Sequence, residues 1–202
     1  MTFRRKEARI RWKEGDDMAH SEKKLSSKEI YAGRILRITC DTVELENGRQ
    51  SLREMVHHPG GVGLVPVTEA GEVYMVRQFR YPFGRELLEI PAGKLEQGED
   101  PETCGRRELR EECGLEADTL IPLGAVYPSV GYDTEVIHLY LAKGLHPVVA
   151  CPDEDEFLTL EKWKLQDLVE RIMADGIRDA KTVAAILKVW NRTDRGETGG
   201  SW

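Results

Sequence analysis

Residues 93–115 read GKLEQGEDPETCGRRELREECGL. Glu96, Glu99, Glu102, Glu108, Glu111 and Glu112 stand here among Lys94, Arg106, Arg107 and Arg110. Asp100 is a good N-cap, Pro101 suits a first helical position, and Glu102 favours the positive end of a helix. Gly114 is a fitting C-terminal stop. The pattern therefore predicts a helix over 101–113. On that helix Glu108 and Glu112 lie one turn apart on one face, with Glu111 beside them. Like charges at this spacing destabilise a helix by roughly a few tenths of a kcal/mol each. Local composition leaves two readings open. Either the arginines neutralise the glutamates on a solvated face, or the carboxylates are gathered for a hard cation such as Mg2+, which takes oxygen ligands.

The rest of the chain sets bounds on both. Its 202 residues suffice for one well-buried domain and a small appendage. A composition that is 40% hydrophobic and 32% charged is that of a soluble globular protein. The formal charge of -7 argues against sequence-independent binding to nucleic acid. Cys40, Cys104, Cys113 and Cys151 are far apart and form no CxxC pair, so neither a zinc site nor a disulfide framework is expected. No apolar run reaches membrane-spanning length and no signal-peptide pattern is visible. The expected compartment is the cytoplasm. Residues 1–17 are strongly charged without an apolar face. Lys13-Glu14-Gly15 can be encoded by a purine-rich run resembling a ribosome-binding site, which makes Met18 the expected start of translation.

Working outward, residues 29–58 alternate apolar and polar positions, with a hairpin signal at Asn47-Gly48. Strands are expected at Val62–Val67 and Val73–Phe79, with ELLEIPAG as a third stopped by Pro91 and Gly93. Two more strands flank a loop holding Pro128, Gly131 and Asp133. An acidic turn (Asp153 to Glu156) leads into a strand, FLTLEKWKL, and two helical stretches, LQDLVERIMADG and DAKTVAAILKVW. This order predicts a mixed sheet with helices on its faces.

Spacing separates the two readings of the opening stretch. Gly93 is followed after five residues by Glu99, after seven more by Arg107-Glu108-Leu109, then Glu111-Glu112 and Gly114-Leu115. This resembles the Nudix box, GX5EX7REUXEEXGU with U apolar, at every position. Seven specified residues at background frequencies of roughly 6% coincide on the order of once in 10^8 windows. The resemblance implies an α/β fold, a Nudix alpha/beta/alpha sandwich, and hydrolysis of a nucleoside diphosphate linked to another moiety with Mg2+, or Mn2+ in its place. It implies Glu108 and Glu112 as metal ligands, Glu111 as a further ligand or a base, and the carbonyl of Ala92 as another ligand. Gly93, Glu99, Arg107 and Gly114 become structural residues of the box, with Arg107 orienting a glutamate such as Glu99.

Flanking pieces (REMVHHPGGVGLVP, VRQFRYPFGRELLEIPAGKLE, YPSVGYDTEVIHLYLA and PDEDEF) are similar to the ADP-ribose pyrophosphatase branch. That branch commonly exchanges a small N-terminal strand unit between the subunits of a homodimer. The expected division is a disordered or untranslated extension over 1–28, the exchanged strand unit over 29–58, the catalytic domain over 59–190 and a flexible tail over 191–202. The resemblance implies that Arg80 contacts phosphate or the terminal ribose, and that Arg53 and Glu54 reach the partner's adenosine site. Pro128 stands where such enzymes carry a proline, although Val130 replaces a second proline common in that loop. Tyr31 is a candidate for stacking on adenine and Glu135 for the diphosphate or a metal. Glu154, with Glu156 in reserve, is the expected general base. The expected reaction converts ADP-ribose and water to AMP and ribose 5-phosphate. Hydrolysis of GDP-mannose or a flavin dinucleotide is the nearest alternative, and a non-catalytic ligand sensor is a further one.

Overall fold

The computed structural model describes residues 20–149 and 157–194. Glu154 and Glu156 lie outside the described residues, as do residues 1–19 and 195–202. The N-terminal strands are β1 (Lys23–Ala32), β2 (Arg37–Glu44) and β3 (Gln50–His57). Next come β4 (Gly61–Pro66), β5 (Glu72–Arg80), a 3-10 turn (Tyr81–Phe83), β6 (Arg85–Glu89) and β7 (Ala92–Lys94). Helix α1 (Pro101–Cys113) precedes β8 (Leu115–Val126), β9 (Ile137–Pro147) and β10 (Leu158–Lys164), and the chain continues into α2 (Leu165–Met173) and α3 (Ala180–Asp194).

β1, β2 and β3 form an antiparallel sheet of their own. Asn47 and Gly48 sit at the tip of its β2–β3 hairpin, where the Asn47 side chain accepts the Arg49 N–H at 3.0 Å. β1 starts at Lys23, ahead of the expected residue 29. Its KKLSS opening has no apolar alternation to announce a strand, and pairing with β2 orders it. The sheet joins the rest of the chain at the end of β3. There the Val56 N–H bonds the Tyr132 carbonyl at 2.8 Å, and the Thr134 N–H bonds the Val56 carbonyl at 3.0 Å.

The remaining strands form a mixed sheet, β7-β4-β9-β8, and an antiparallel sheet, β10-β5-β6. β4 runs parallel to β9, a pairing that requires a long crossover, and α1 lies within it. β4 is buried along its whole length, with Leu64 and Val65 pointing into different apolar clusters. Leu64 packs with Leu109 and Cys113 of α1 and with Leu115, Leu120 and Ala142. Val65 packs with Val73, Met75, Ile90, Leu139, Leu168, Ile186 and Val189, which brings in α2 and α3. One sheet layer thus carries helices on both faces, the expected alpha/beta/alpha sandwich.

One expected element divides. ELLEIPAG was expected as a single strand, yet β6 pairs with β5 and β7 with β4, in different sheets. Pro91 has no N–H to continue a ladder. Its carbonyl accepts from the Leu64 N–H at 2.9 Å instead, while the Ile90 N–H goes to Thr182 Oγ1 at 2.9 Å. The switch delivers Ala92 and Gly93 to the face of α1.

Candidate active site

α1 is specified at both ends. The Asp100 carboxylate accepts the N–H groups of Glu102 and Thr103, both at 3.1 Å. Gly114 ends the helix with φ 62, in the left-handed region open to glycine. Its buried residues are Cys104, Gly105, Glu108, Leu109, Glu112 and Cys113, a single stripe along the axis. Glu108 and Glu112 are therefore carried into the interior beside Leu109, each 7% exposed. Charged residues rarely reach that depth without partners.

Their surroundings are polar and built by neighbours in space. Glu112 Oε2 accepts the Ala92 N–H at 2.9 Å, which ties α1 to β7. Gly93 lies against Glu108 so closely that a Cβ on it would fall 1.8 Å from Glu108 Oε1. Arg107 spans the centre. Its Nε and Nη2 each donate to Glu99 at 3.0 Å, while Nη1 donates to Glu108 at 2.7 Å and Glu111 at 2.8 Å. Nη2 also reaches the Lys94 carbonyl at 3.1 Å. The bonds from Arg107 hold the Glu99 carboxyl at about 2, against an ordinary 4.5. The same carboxylates raise the Arg107 pKa further above its usual value. Arg107 and Glu99 thus meet as a bidentate pair.

A second charge network adjoins the first. Arg80, at the end of β5, pairs with Glu89 of β6 through Nε at 2.7 Å and Nη2 at 2.8 Å. Glu89 is only 2% exposed. Burial pushes its carboxyl up, but the bonds from Arg80 and the charge and bond of Lys181 outweigh that and hold it at about 2. Lys181 donates to Glu89 and, at 3.0 Å, to Asp179. Asp179 in turn accepts the Thr182 N–H at 3.1 Å. The charges of Glu112 and Asp179 act on Arg80, so the two networks share one electrostatic field. Beyond them, Glu135 Oε1 lies 3.4 Å from His58 Nδ1. Burial raises the Glu135 pKa, with the charge of His58 opposing it and the charges of Lys181 and Asp179 acting in opposite directions.

Of the expected site residues, Ala92, Gly93, Glu99, Arg107, Glu108, Glu111 and Glu112 therefore form one centre, bounded at its C-terminal edge by Gly114. Arg80, held by Glu89, is linked to this centre by the charge of Glu112. Arg53, Glu54 and Tyr31 stand on the N-terminal sheet. Arg53 and Glu54 line a groove of about 760 Å³, and Tyr132 is part of the same lining. Arg53 is bonded there to Glu22 at 2.9 Å, and Tyr31 is 57% exposed. Pro128 is exposed in the loop that carries Tyr132. Glu89, Asp179 and Lys181 were not singled out from sequence. A glutamate inside the apolar run LLEIP was the available signal, since burial there demands a cationic partner.

Among the described residues, no three His, Cys, Asp or Glu side chains converge into a metal cage. Arg107 bridges Glu108 and Glu111 in this arrangement. The donor set itself suits a hard divalent cation: carboxylates one helical turn apart, the Ala92 backbone bonded to Glu112 through its N–H, and a glycine that leaves room for Glu108.

The two depressed carboxylates predict an acid limit to stability. A carboxyl held at about 2 when folded and near 4.5 otherwise stabilises the fold fully above the higher value. That contribution is lost as pH falls through the window toward the lower value. Thermal melts of the wild type should decline between about pH 5 and pH 3. Glu89→Gln should lower Tm at neutral pH and flatten this decline; equal slopes in the two proteins would contradict the assignment.

Comparison with known proteins bears on the family and the fold. Residues 57–185 match the NUDIX domain, and residues 22–56 match the nucleoside diphosphate sugar hydrolase N-terminal domain. The chain is 42% identical over 167 residues to the methanol dehydrogenase activator of Bacillus methanolicus, covering 82% of this chain and 90% of that protein. It is 41% identical over 167 residues to the ADP-ribose pyrophosphatase of Bacillus subtilis (strain 168), with the same coverage. A crystal structure of an ADP compounds hydrolase superposes with a TM-score of 0.78 at 20% identity, over 90% of this chain and 99% of that one, which speaks to the fold.

Proposed function

The chain belongs to the Nudix family of pyrophosphohydrolases, and from that premise we propose that it hydrolyses ADP-ribose to AMP and ribose 5-phosphate with a divalent cation, Mg2+ foremost. The observation that carries this reading is the buried Glu108–Glu112 pair, set against Ala92 and Gly93 beside Arg80. The similarity to an ADP-ribose pyrophosphatase and the match to a nucleoside diphosphate sugar hydrolase unit support the substrate.

Glu108, Glu112 and the Ala92 carbonyl would hold the cation, with Glu111 as a further ligand or a base. Such a cation neutralises diphosphate charge and lowers the pKa of an attacking water. The chain's own residues supply the rest. Arg80 is anchored on Glu89 and offers its remaining N–H groups to a phosphate oxygen or the terminal ribose. Glu135 stands by the diphosphate. Glu154 or Glu156 takes the proton from water. Arg53, Glu54 and Tyr31 bind the adenosine end across a homodimer, with Pro128 shaping the loop. The dimer is supported by β1, exposed along its whole length, and by Leu25, Ile30 and Leu52 uncovered on the same sheet. A second copy would bury this apolar surface.

The test is a panel of nucleoside diphosphate sugars and dinucleotides incubated with Mg2+, with products resolved by chromatography. ADP-ribose should be cleaved fastest, in equal parts AMP and ribose 5-phosphate, and chelation with EDTA should stop it. Turnover of GDP-mannose at an equal or greater rate would overturn the substrate assignment. Light scattering should give twice the chain mass of 22.9 kDa; a monomer would sink the exchanged arrangement.

A further inference from the structure

Lys181 occupies a position that is unfavourable on two counts. It lies in the first turn of α3, where the helix dipole repels a cation. Its side chain is only 10% exposed, where an ammonium loses hydration. α3 has a second polar tie at the same place. The Ile90 N–H already bonds Thr182 Oγ1 at 2.9 Å, and the Thr182 N–H is capped by Asp179. Lys181 instead completes a row of alternating charges, Arg80, Glu89, Lys181 and Asp179.

Within that row, Glu89 Oε2 accepts from both Arg80 and Lys181, while Oε1 accepts from Arg80. The fork of Nε and Nη2 fixes the plane of the guanidinium. We propose that Lys181 is a positioning residue for the hydrolysis: its ammonium holds the buried Glu89 carboxylate in place, and Glu89 in turn fixes Arg80 for the diphosphate. Without Lys181, Glu89 retains its burial and loses a bonded cation. Its carboxylate then turns or takes up a proton, and the guanidinium fork on Arg80 loosens. Lys181 itself touches no substrate in this scheme. The inference rests on the reading that this site cleaves a nucleoside diphosphate.

A double-mutant cycle tests it, using whichever nucleoside diphosphate sugar the wild type cleaves best. Failure of the ADP-ribose assignment would thus leave this test standing. Lys181→Met, close to lysine in shape, should lower kcat/KM by about tenfold in the wild type, and by less than about twofold in an Arg80→Ala background. Lys181→Arg, which keeps the charge, should recover most of the loss. An equal loss in both backgrounds would mean that Lys181 acts through stability or elsewhere, and no loss in the wild type would mean it does not act; either overturns the proposal. If Lys181→Met does not fold, the same comparison is made with Lys181→Gln, together with the melting temperature of each variant.

Discussion

Glu112→Gln is expected to lower kcat/KM by at least about a thousandfold, or ~4 kcal/mol of transition-state stabilisation, while leaving the fold intact. The reason for expecting both together is the contact Glu112 makes. Its Oε2 accepts the Ala92 N–H at 2.9 Å, and a glutamine amide oxygen can accept the same bond. The tie between α1 and β7 therefore survives. What disappears is a negative charge in a nearly buried position, which would hold the cation against the diphosphate. Circular dichroism should show an unchanged fold, and turnover should fall to the limit of detection. Undiminished turnover would remove Glu112 from the catalytic centre.

Gly93→Ala separates activity from stability in a second way. The added Cβ would fall 1.8 Å from Glu108 Oε1 and 1.9 Å from Glu108 Cδ, an overlap that cannot persist. The clashing group is the far end of a flexible side chain, so Glu108 swings away and the backbone stays. The bond of Arg107 Nη1 to Glu108, 2.7 Å long, is disturbed with it. The expected loss in kcat/KM is about a hundredfold or more, with Tm changed by only about 3 °C or less. A large drop in Tm with activity retained in the folded fraction would show that Gly93 serves the backbone and not the carboxylate.

Much of this centre was legible in the chain because its parts are contiguous. Capping by Asp100, the stop at Gly114 and the one-turn spacing of Glu108 and Glu112 are consequences of helix geometry acting over a few residues. The same locality made the hairpin at Asn47-Gly48 and the helices after residue 164 readable. β1 was readable only in its last four residues, because an edge strand exposed on both faces carries no alternation. The break at Ile90-Pro91 was announced by a proline, but not its consequence. Which sheet each half would join depends on partners far away in the chain.

The residues 93–115 thus carried, through spacing and local helix chemistry, the family, the carboxylate pair and the arginine among them. Folding supplied what local chemistry cannot encode. It set Gly93 against Glu108, brought the Ala92 N–H to Glu112, and placed Lys181 on Glu89 across 92 positions of sequence. These contacts arise because β6 and β7 enter different sheets while α3 packs on the opposite face from α1. A buried charge is tolerated only where its partner arrives, and long-range packing decides where that is.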